Sequence, residues 1–451
     1  MKLARNNPFL LFSILLLFGT VSFPSHLQAQ QLPTHVNSRP NVILIMADDM
    51  GYECLGSYGS ASYKTPHLDK LAAEGVRFEH CYSQPLCTPS RVQIMTGKYN
   101  FRNYTDFGYL DPKEKTFGNL FKDAGYSTCI AGKWQLNGFY RDKKPGWDNL
   151  NRPHVFGFDE YCLWQVSKEK SEGERYAYPL VIQNGEELPR KADQYGPDVF
   201  SDYIVDFIGR KKAEPFFVYY PMNLVHDPFV PTPISPDWDN SELRYHQDTS
   251  YFKDMVAYTD KLVGKIIDKL DHEGLLENTL IIFTGDNGTH VNIISNMTDG
   301  SQIKGDKGKM TDGGTRVPLI AYWKGKSVKG KISKDLVDFT DFLPTLAEAA
   351  AISIPADWVA DGRSFLPQVI GKPSSSKEYI YMYYKPEWGR FDNGVFVRNQ
   401  KYKLYDDGRF YDLELDVMEQ NSLSESSLEE GALAVKKRFM EVLSKYPTIN
   451  R

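Results

Sequence analysis

Short apolar runs of strand type alternate with amphipathic helical segments along most of this chain. The run at residues 41–46 (NVILIM) is continuously apolar after its first residue, as is typical of a strand buried on both faces. Further strands are predicted at residues 128–131, 216–220, 280–284 and 317–322. One helix is predicted to begin after Thr65 and to end at Gly75, and another covers residues 251–270. This alternation favours an α/β fold with a doubly wound, mostly parallel sheet flanked by helices.

Two stretches depart from this rhythm. Residues 141–197 are rich in Trp, Tyr, Gly and charge, and we interpret them as an insertion over the sheet edge near the active site. After Gly371, short aromatic strands precede a final helix, which predicts a smaller C-terminal subdomain made of an antiparallel sheet and a helix. The predicted organisation is a signal peptide (1–29), a catalytic α/β domain (36–370) and a C-terminal subdomain (371–451).

The N-terminus has the pattern of a secretory signal peptide. Lys2 and Arg5 precede an apolar run at residues 9–21, and Ala29 offers a cleavage point. That run is short for a membrane span, so we expect an exported protein, periplasmic or secreted, with no membrane span in the mature chain. The net charge of -5 gives no electrostatic argument for nucleic acid as a partner.

Polar side chains follow several of the predicted strands. The ligands of open α/β sheets bind beyond the carboxyl ends of the strands, so these side chains are expected to converge. Asp48, Asp49, Asp286 and Asn287 offer oxygen donors with three carboxylates, which suits Ca²⁺ or Mg²⁺ better than zinc. Each pair alone is more typical of a helix cap or a tight turn. Their joint occurrence at strand ends favours a metal site.

Residues 87–91 (CTPSR) place a cysteine at the start of a predicted helix, where unpaired backbone N–H groups favour anions. Pro89 fits the first helical turn, and a lone cysteine there is typically a small buried thiol. Four further groups, three of them cationic, indicate an anionic substrate, a tetrahedral oxyanion; these are Arg91, Lys133, His226 and Lys307. The chain has five cysteines, an odd number, which leaves one of them free, intermolecular or modified.

Together these segments resemble the type I, formylglycine-dependent sulfatases of the alkaline phosphatase superfamily, over nearly the whole mature chain. The residues that carry the resemblance are 87–91 with Thr96 and Gly97, 132–134 (GKW) and the glycine-rich stretch 307–318. The resemblance implies a sulfuric ester hydrolase in which a maturation enzyme oxidises Cys87 to formylglycine. It also implies Ca²⁺, favoured over Mg²⁺, bound by the modified Cys87 with Asp48, Asp49, Asp286 and Asn287.

The resemblance also implies roles for the remaining residues of the site. Arg91 would steady the formylglycine, Lys133 and Lys307 would bind the sulfate, and His226 would contact the ester oxygen. One departure stands out, because the family usually has histidine where this chain has Gln135. Glutamine donates and accepts hydrogen bonds but does not titrate, so the proton relay differs here. His290 is a candidate for that missing titratable group.

We expect the substrate to be a sulfated carbohydrate or another small sulfate ester. The candidate pocket-lining residues are Arg102, Tyr104, Trp134, Arg152, His154, Trp164 and Trp388, although aromatic residues more often serve packing. Two alternatives stay open from the sequence. One is a phosphodiesterase or phosphonate hydrolase of the same superfamily, and the other is a catalytically inactive protein that binds sulfated glycans.

Overall fold

The computed structural model describes residues 39–140, 142–168, 174–389 and 391–449. The predicted signal peptide lies outside these residues. Within them the strands are β1 (Asn41–Ala47), β2 (Val76–Tyr82), β3 (Ser127–Lys133), β4 (Glu160–Trp164), β5 (Ile182–Gln183), β6 (Glu186–Glu187), β7 (Phe216–Pro221), β8 (Thr279–Gly285), β9 (Ile294–Asn296), β10 (Gln302–Lys304), β11 (Arg316–Trp323), β12 (Lys331–Asp338), β13 (Ile380–Tyr384), β14 (Gly394–Arg398), β15 (Tyr402–Tyr405) and β16 (Phe410–Asp412).

The α-helices of the same ranges are α1 (Pro66–Glu74), α2 (Cys87–Thr96), α3 (Phe117–Asp123), α4 (Arg152–Val155), α5 (Gly196–Lys211), α6 (Phe252–His272), α7 (Asp312–Thr315), α8 (Phe342–Ala349), α9 (Leu366–Val369) and α10 (Glu430–Leu443). None of these helices is long and apolar enough to span a membrane.

Ten of the described strands form a large sheet in the order β12-β2-β11-β8-β1-β7-β3-β4-β5-β6, and β9 and β10 form a separate two-stranded sheet. Strand β1 lies at its centre, parallel to both β7 and β8, and β3 continues the parallel arrangement to β4. Strand β11 runs antiparallel to β2 and β8. Its register with β2 shifts around Pro318, which has no N–H to donate to a neighbouring strand. The α/β fold with a mostly parallel sheet is therefore confirmed.

The two faces of the sheet form two separate cores. Alternate side chains of β1 point to opposite faces, so Ile43 and Ile45 join one core while Val42 and Leu44 join the other. Every residue of β1 is buried, which confirms the expectation from its continuous apolar run. Helices α1, α5 and α6 cover the first face, and α2, α3 and α8 cover the second.

Strands β2 and β12 were not predicted from the sequence. Strand β2 alternates charged and apolar residues (VRFEHCY), and β12 mixes lysines and aspartates with two buried aliphatic side chains (KISKDLVD). These patterns are typical of strands at the margin of a sheet, where one face is only partly covered. Their place in the sheet depends on long-range pairing, because β2 lies between β11 and β12 and both of these strands are far from β2 in sequence.

The segment 141–197 supplies the opposite margin of the sheet. Its strands β4, β5 and β6 extend the sheet beyond β3, so this segment forms part of the sheet itself. The part of the chain after Gly371 forms a four-stranded antiparallel sheet, β13-β14-β15-β16, with α10 packed on β14 and β15. The antiparallel sheet and closing helix predicted there are thus present. On its other face, Met382 and Tyr384 share a core with Leu86 and Cys87.

Candidate active site

Four oxygen-bearing side chains meet where the central strands end. Asp48 and Asp49 follow β1, and Asp286 and Asn287 follow the neighbouring β8, because Ala47 pairs with Gly285 at the end of the ladder. All four side chains are fully buried. The Asp49 N–H donates to Asp286 Oδ1 over 2.9 Å, and Asn287 Nδ2 donates to Asp49 Oδ1 over 2.9 Å.

Cys87 is the first residue of α2, whose ten residues are all buried. Its thiol donates to Gln135 Oε1 over 3.3 Å. Burial raises the pKa of the Cys87 thiol, although the charges of Lys133 and Lys307 oppose that rise. All five cysteines are buried and unpaired in the described part of the chain, so the neighbouring lysines, and not burial, distinguish Cys87.

Two buried cations link α2 to the acidic group, which consists of Asp48, Asp49 and Asp286 with Asn287. Lys133 Nζ lies 2.8 and 2.9 Å from the two carboxylate oxygens of Asp48. Arg91 Nη2 lies 2.9 Å from Asp286 Oδ2 and 3.6 Å from Asp48 Oδ1. Arg91 also donates from Nη1 to the carbonyl of Lys133 over 3.2 Å. These contacts hold the start of α2 against the ends of β1, β3 and β8.

A third cation reaches the group from the glycine-rich stretch. Lys307 Nζ lies 2.5 Å from Asp49 Oδ2 and 3.0 Å from His226 Nε2. His226 Nδ1 lies 2.9 Å from Asp227 Oδ1. Burial, aided by the charges of Lys307 and Arg175, lowers the pKa of His226 to about 4, so the imidazole is neutral near pH 7. A neutral His226 with its proton on Nδ1 accepts from Lys307 at Nε2.

Backbone contacts hold the Lys307 loop in place. The Lys307 N–H donates to Thr289 O, and the Gly308 N–H donates to Pro85 O, which ties the loop to both neighbouring segments of the site. Gly288 packs directly on α7, which follows this loop, because a Cβ at position 288 would lie 1.9 Å from the carbonyl oxygen of Gly313. Position 288 therefore has no space for a side chain and requires glycine.

The carboxylates have opposite electrostatic environments. Burial would raise the pKa of Asp48, but the positive charges around it, first that of Lys133 and then those of Arg91 and Arg175, outweigh burial and hold that pKa well below its usual range. Burial, together with the neighbouring Asp48, raises the pKa of Asp286 to about 7. Closely packed carboxylates of this kind are stabilised in their charged form by a cation.

The donor set fits a hard divalent cation. One ligand atom from each of Asp48, Asp49 and His226 lies within 4.8 Å of the other two. Asn287 Oδ1 is buried and has no hydrogen-bond partner in the described part of the chain. Because buried polar atoms normally have a partner, this oxygen is available to bind a cation. Carboxylate and amide oxygens are the ligands that Ca²⁺ prefers.

Several predicted pocket residues lie away from this group. Trp134 is buried against Phe156 and donates to Asn137, and Arg102 is paired with Asp361. Arg152 donates to the carbonyl of Leu110. His154 Nδ1 contacts Phe158 O, Tyr104 donates to Pro386 O, and His290 packs edge-on against Phe229. Among the described residues no contact joins these side chains to the acidic group. Burial raises the pKa of the Tyr104 phenol, and Cys87 adds to that rise.

Other side chains were not singled out in the sequence and lie in the site. Gln135 Nε2 donates to the hydroxyl of Tyr140 over 2.8 Å, and the Tyr140 ring packs edge-on against Trp388. Arg175 Nη1 lies 3.8 Å from Asp48 Oδ2, with its guanidinium over the ring of Trp164. Tyr140 lies next to segment 141–197, and Arg175 lies within it. The concentration of aromatic and charged residues in that segment was the only sequence signal for these two residues.

Comparison with known proteins shows the family to which the chain belongs. The sulfatase family model matches residues 40–352, and the model of the C-terminal region of N-sulphoglucosamine sulphohydrolase matches residues 303–445. The N-acetylgalactosamine-6-sulfatase of Canis lupus familiaris is 32% identical over 380 residues, covering 76% of this chain and 68% of that protein. An arylsulfatase of Hemicentrotus pulcherrimus is 31% identical, covering 81% of this chain and 67% of its own length.

A solved structure extends the similarity to the fold. Ps i-CgsB in complex with k-i-k-neocarrahexaose has a TM-score of 0.70 and 26% sequence identity, covering 90% of this chain and 92% of that one. A family match over most of the chain and these relatives lead to one conclusion. The chain belongs to the sulfatase family of the alkaline phosphatase superfamily, and it is a sulfuric ester hydrolase.

Proposed function

We propose that this sulfatase hydrolyses sulfate esters with a formylglycine made from Cys87 and a bound Ca²⁺. The proposal depends on one observation, the convergence of Cys87 with three carboxylates and three cations beyond the ends of β1, β3 and β8. When present, the hydrated aldehyde supplies the nucleophilic hydroxyl, and Ca²⁺ stabilises negative charge on the sulfuryl oxygens. As an unmodified thiol, Cys87 is poorly suited to this task, because burial keeps it protonated.

Asp48, Asp49, Asp286 and Asn287 would hold the cation. Asn287 Oδ1 has no other partner, and Asp286 has a pKa raised to about 7 that a nearby divalent cation would lower again. His226 also lies within reach of this group, but its contact with Lys307 favours a role in proton transfer.

Arg91, Lys133 and Lys307 would bind the developing negative charge. Each is held in place by a carboxylate, so little reorganisation is needed when the sulfuryl group arrives. Gln135 Oε1 faces the Cys87 side chain and would accept a hydrogen bond from a hydroxyl there. This contact orients the nucleophile but does not remove its proton at neutral pH, because an amide does not titrate.

The departing alcohol needs a proton. Lys307 carries protons and contacts the neutral His226, so this pair would deliver one to the ester oxygen. Asp227 would keep the imidazole in the orientation that presents Nε2 to Lys307, because its carboxylate lies 2.9 Å from Nδ1.

We further propose a sulfated carbohydrate as the substrate. One relative is named an N-acetylgalactosamine-6-sulfatase, and one similar structure holds k-i-k-neocarrahexaose. The aromatic rings of Phe107, Tyr140 and Trp388 pack together beside Cys87 and would offer an apolar surface to a sugar ring. Export through the N-terminal signal peptide, to the periplasm or outside the cell, is part of the same proposal.

The test is a substitution of the proposed nucleophile. Cys87→Ala should abolish turnover of an aryl sulfate while leaving the melting temperature close to that of the parent protein. Cys129→Ala is a matched control, because it removes an equally buried thiol that lies in β3 away from the charged group. Substantial activity in Cys87→Ala would contradict the proposal.

Two further measurements define the chemistry. The peptide that contains Cys87, taken from the native host, should be about 18 Da lighter than the unmodified peptide, since a thiol is replaced by an aldehyde. Parallel assays on aryl sulfate and aryl phosphate should favour the sulfate. An unmodified peptide would favour an inactive, glycan-binding protein, and preference for phosphate would favour a phosphoester hydrolase.

A further inference from the structure

Arg175 is a buried cation without a carboxylate of its own. The site has three fully buried carboxylates, and each has a close cation: Lys133 for Asp48, Lys307 for Asp49 and Arg91 for Asp286, at 2.8, 2.5 and 2.9 Å. Arg175 also helps to lower the pKa of Asp227, but that carboxylate lies 2.9 Å from His226 Nδ1. Arg175 Nη1 reaches Asp48 only at 3.8 Å, and Asp48 is already engaged by Lys133.

The guanidinium is also short of hydrogen bonds. Arg175 is 3% exposed, and neither Nε nor Nη1 has a partner among the residues that the structure describes. Buried donors in native proteins nearly always have partners, and an unpaired donor on a charged group is especially costly. The missing partner is therefore an acceptor that the described residues do not supply.

The surroundings keep Arg175 in one position. Its guanidinium lies 4.4 Å from the ring centre of Trp164 at the end of β4. Gly196 approaches its backbone so closely that a Cβ there would lie 2.1 Å from the Arg175 carbonyl oxygen. The next residue, Tyr176, donates to the carbonyls of Asn223 and His226 over 2.8 and 2.6 Å. The arginine is thus fixed beside the His226 loop and aimed at Asp48.

We propose that Arg175 is a specificity residue that binds a second anionic group of the substrate, next to the sulfate that is removed. The inference rests on the proposed function. A sulfate monoester carries one negative charge, and Arg91, Lys133 and Lys307 already face it. A carboxylate or a second sulfate is the acceptor that a planar, always charged guanidinium binds best.

The test compares substrates with one and two anionic groups. The panel is phenyl sulfate together with its ortho and meta derivatives that carry a carboxylate or a second sulfate. Arg175→Gln should lower kcat/KM for at least one dianionic member about 10–100-fold more than for phenyl sulfate, mainly through KM. Arg175→Lys should recover part of the difference. The responding derivatives would distinguish a carboxylate from a sulfate.

A matched control removes a similar arginine elsewhere. Arg244 lies 4.7 Å from the ring centre of Trp238, as Arg175 does over Trp164, but it donates to the carbonyls of Trp238 and Ala192. Arg244→Gln should leave the ratio between dianionic and monoanionic substrates as it is in the parent protein. Equal losses on every member of the panel, or no loss on any, would overturn the proposal.

Binding provides a readout that is separate from turnover. Dissociation constants of the same panel for Cys87→Ala protein, with and without Arg175→Gln, should show the same selective loss for dianionic ligands. If parent protein fails to cleave phenyl sulfate but this binding difference appears, the proposed function fails and the role of Arg175 stands. If the parent protein cleaves phenyl sulfate but Arg175→Gln causes no selective loss of binding, the proposed function stands and the role of Arg175 fails.

Discussion

Gln135 differs from the histidine usual in sulfatases that this chain resembles, and its contacts define what the amide can do. Its Oε1 accepts from Cys87, while its Nε2 donates to the Tyr140 hydroxyl. The tyrosine thereby favours the orientation in which the acceptor oxygen faces the Cys87 side chain. A group with fixed protonation at this position implies that the pH profile of the enzyme lacks one titration found when histidine is present.

Replacing Gln135 tests this arrangement. Gln135→Leu should lower kcat/KM for an aryl sulfate about 10–100-fold, because the nucleophile loses a hydrogen bond that orients it. Gln135→His should add a titration near pH 6–7 to the profile, measured from pH 5 to pH 9. The mass of the Cys87 peptide must be checked in each variant to establish equal modification. Full activity of Gln135→Leu, together with a pH profile of Gln135→His that matches the parent protein, would contradict the assigned role.

The elements of the site show how loops complete what the strands begin. Strands β1 and β8 bring their following residues together through parallel pairing, whereas Lys307 belongs to a loop held by backbone contacts. Helix α7, which follows that loop, packs against Gly288 with no space for a side chain. Correct placement of the lysine therefore depends on the backbone packing of two glycine-containing segments, and the charge attraction of Asp49 adds to it.

A methyl group at Gly288 should displace the loop. We expect Gly288→Ala to lower turnover more than about tenfold and to destabilise the protein by about 1–3 kcal/mol, because a backbone carbonyl would have to move. Thermal unfolding and steady-state kinetics measure both effects. Gly431→Ala is the control, since a Cβ there meets nothing within 4 Å and should be neutral or slightly stabilising. Unchanged kinetics in Gly288→Ala would show that the loop tolerates the shift.

At the level of the whole molecule, the site joins distant parts of the chain. Carboxylates after β1 and β8 lie side by side with a cysteine at the start of α2, and the C-terminal sheet packs behind that cysteine. Uncompensated, the buried negative charges would oppose folding, and part of the compensation comes from Lys133, Arg91 and Lys307. A bound divalent cation would add to it, which couples metal binding to stability.

Removing calcium should therefore lower both stability and activity. Dialysis against a chelator is expected to decrease the melting temperature by several degrees, with recovery on addition of Ca²⁺ and a weaker response to Mg²⁺. A cation whose free concentration is 100 times its dissociation constant adds about 2.7 kcal/mol to the free energy of unfolding. Asp49→Asn should weaken calcium binding, measured by calorimetric titration. An unchanged melting temperature after verified metal removal would argue against the site.

Calcium binding should also depend on pH. Because the pKa of Asp286 is raised to about 7 without metal, this carboxyl carries a proton below that pH, and calcium must displace it. The apparent affinity is expected to fall as pH decreases below 7, by up to about tenfold per unit, and to level off above it. Titrations at pH 5.5, 6.5 and 7.5 would show this trend.

Local sequence was sufficient for many elements of the fold. Helix α2 and the buried strand β1 lie where the proline and the apolar run predicted them, because first-turn geometry and burial on both faces leave a strong local pattern. Strands β2 and β12 left no such pattern, since β2 pairs with β11 and with β12, and both partners lie more than two hundred positions after β2 in the sequence.

The residues of the site divide in the same way. Asp48, Asp49, Cys87 and Asp286 were recognisable from their neighbours along the chain, as residues that follow strands or begin a helix. The partners that orient them, among them Tyr140 and Arg175, were not, because a tyrosine or an arginine in an aromatic, charged segment has no local mark of its role. Their contacts arise from packing between segments, which sequence periodicity does not encode. The types of group at the site follow from the amino-acid sequence, whereas their pairings follow from the three-dimensional fold.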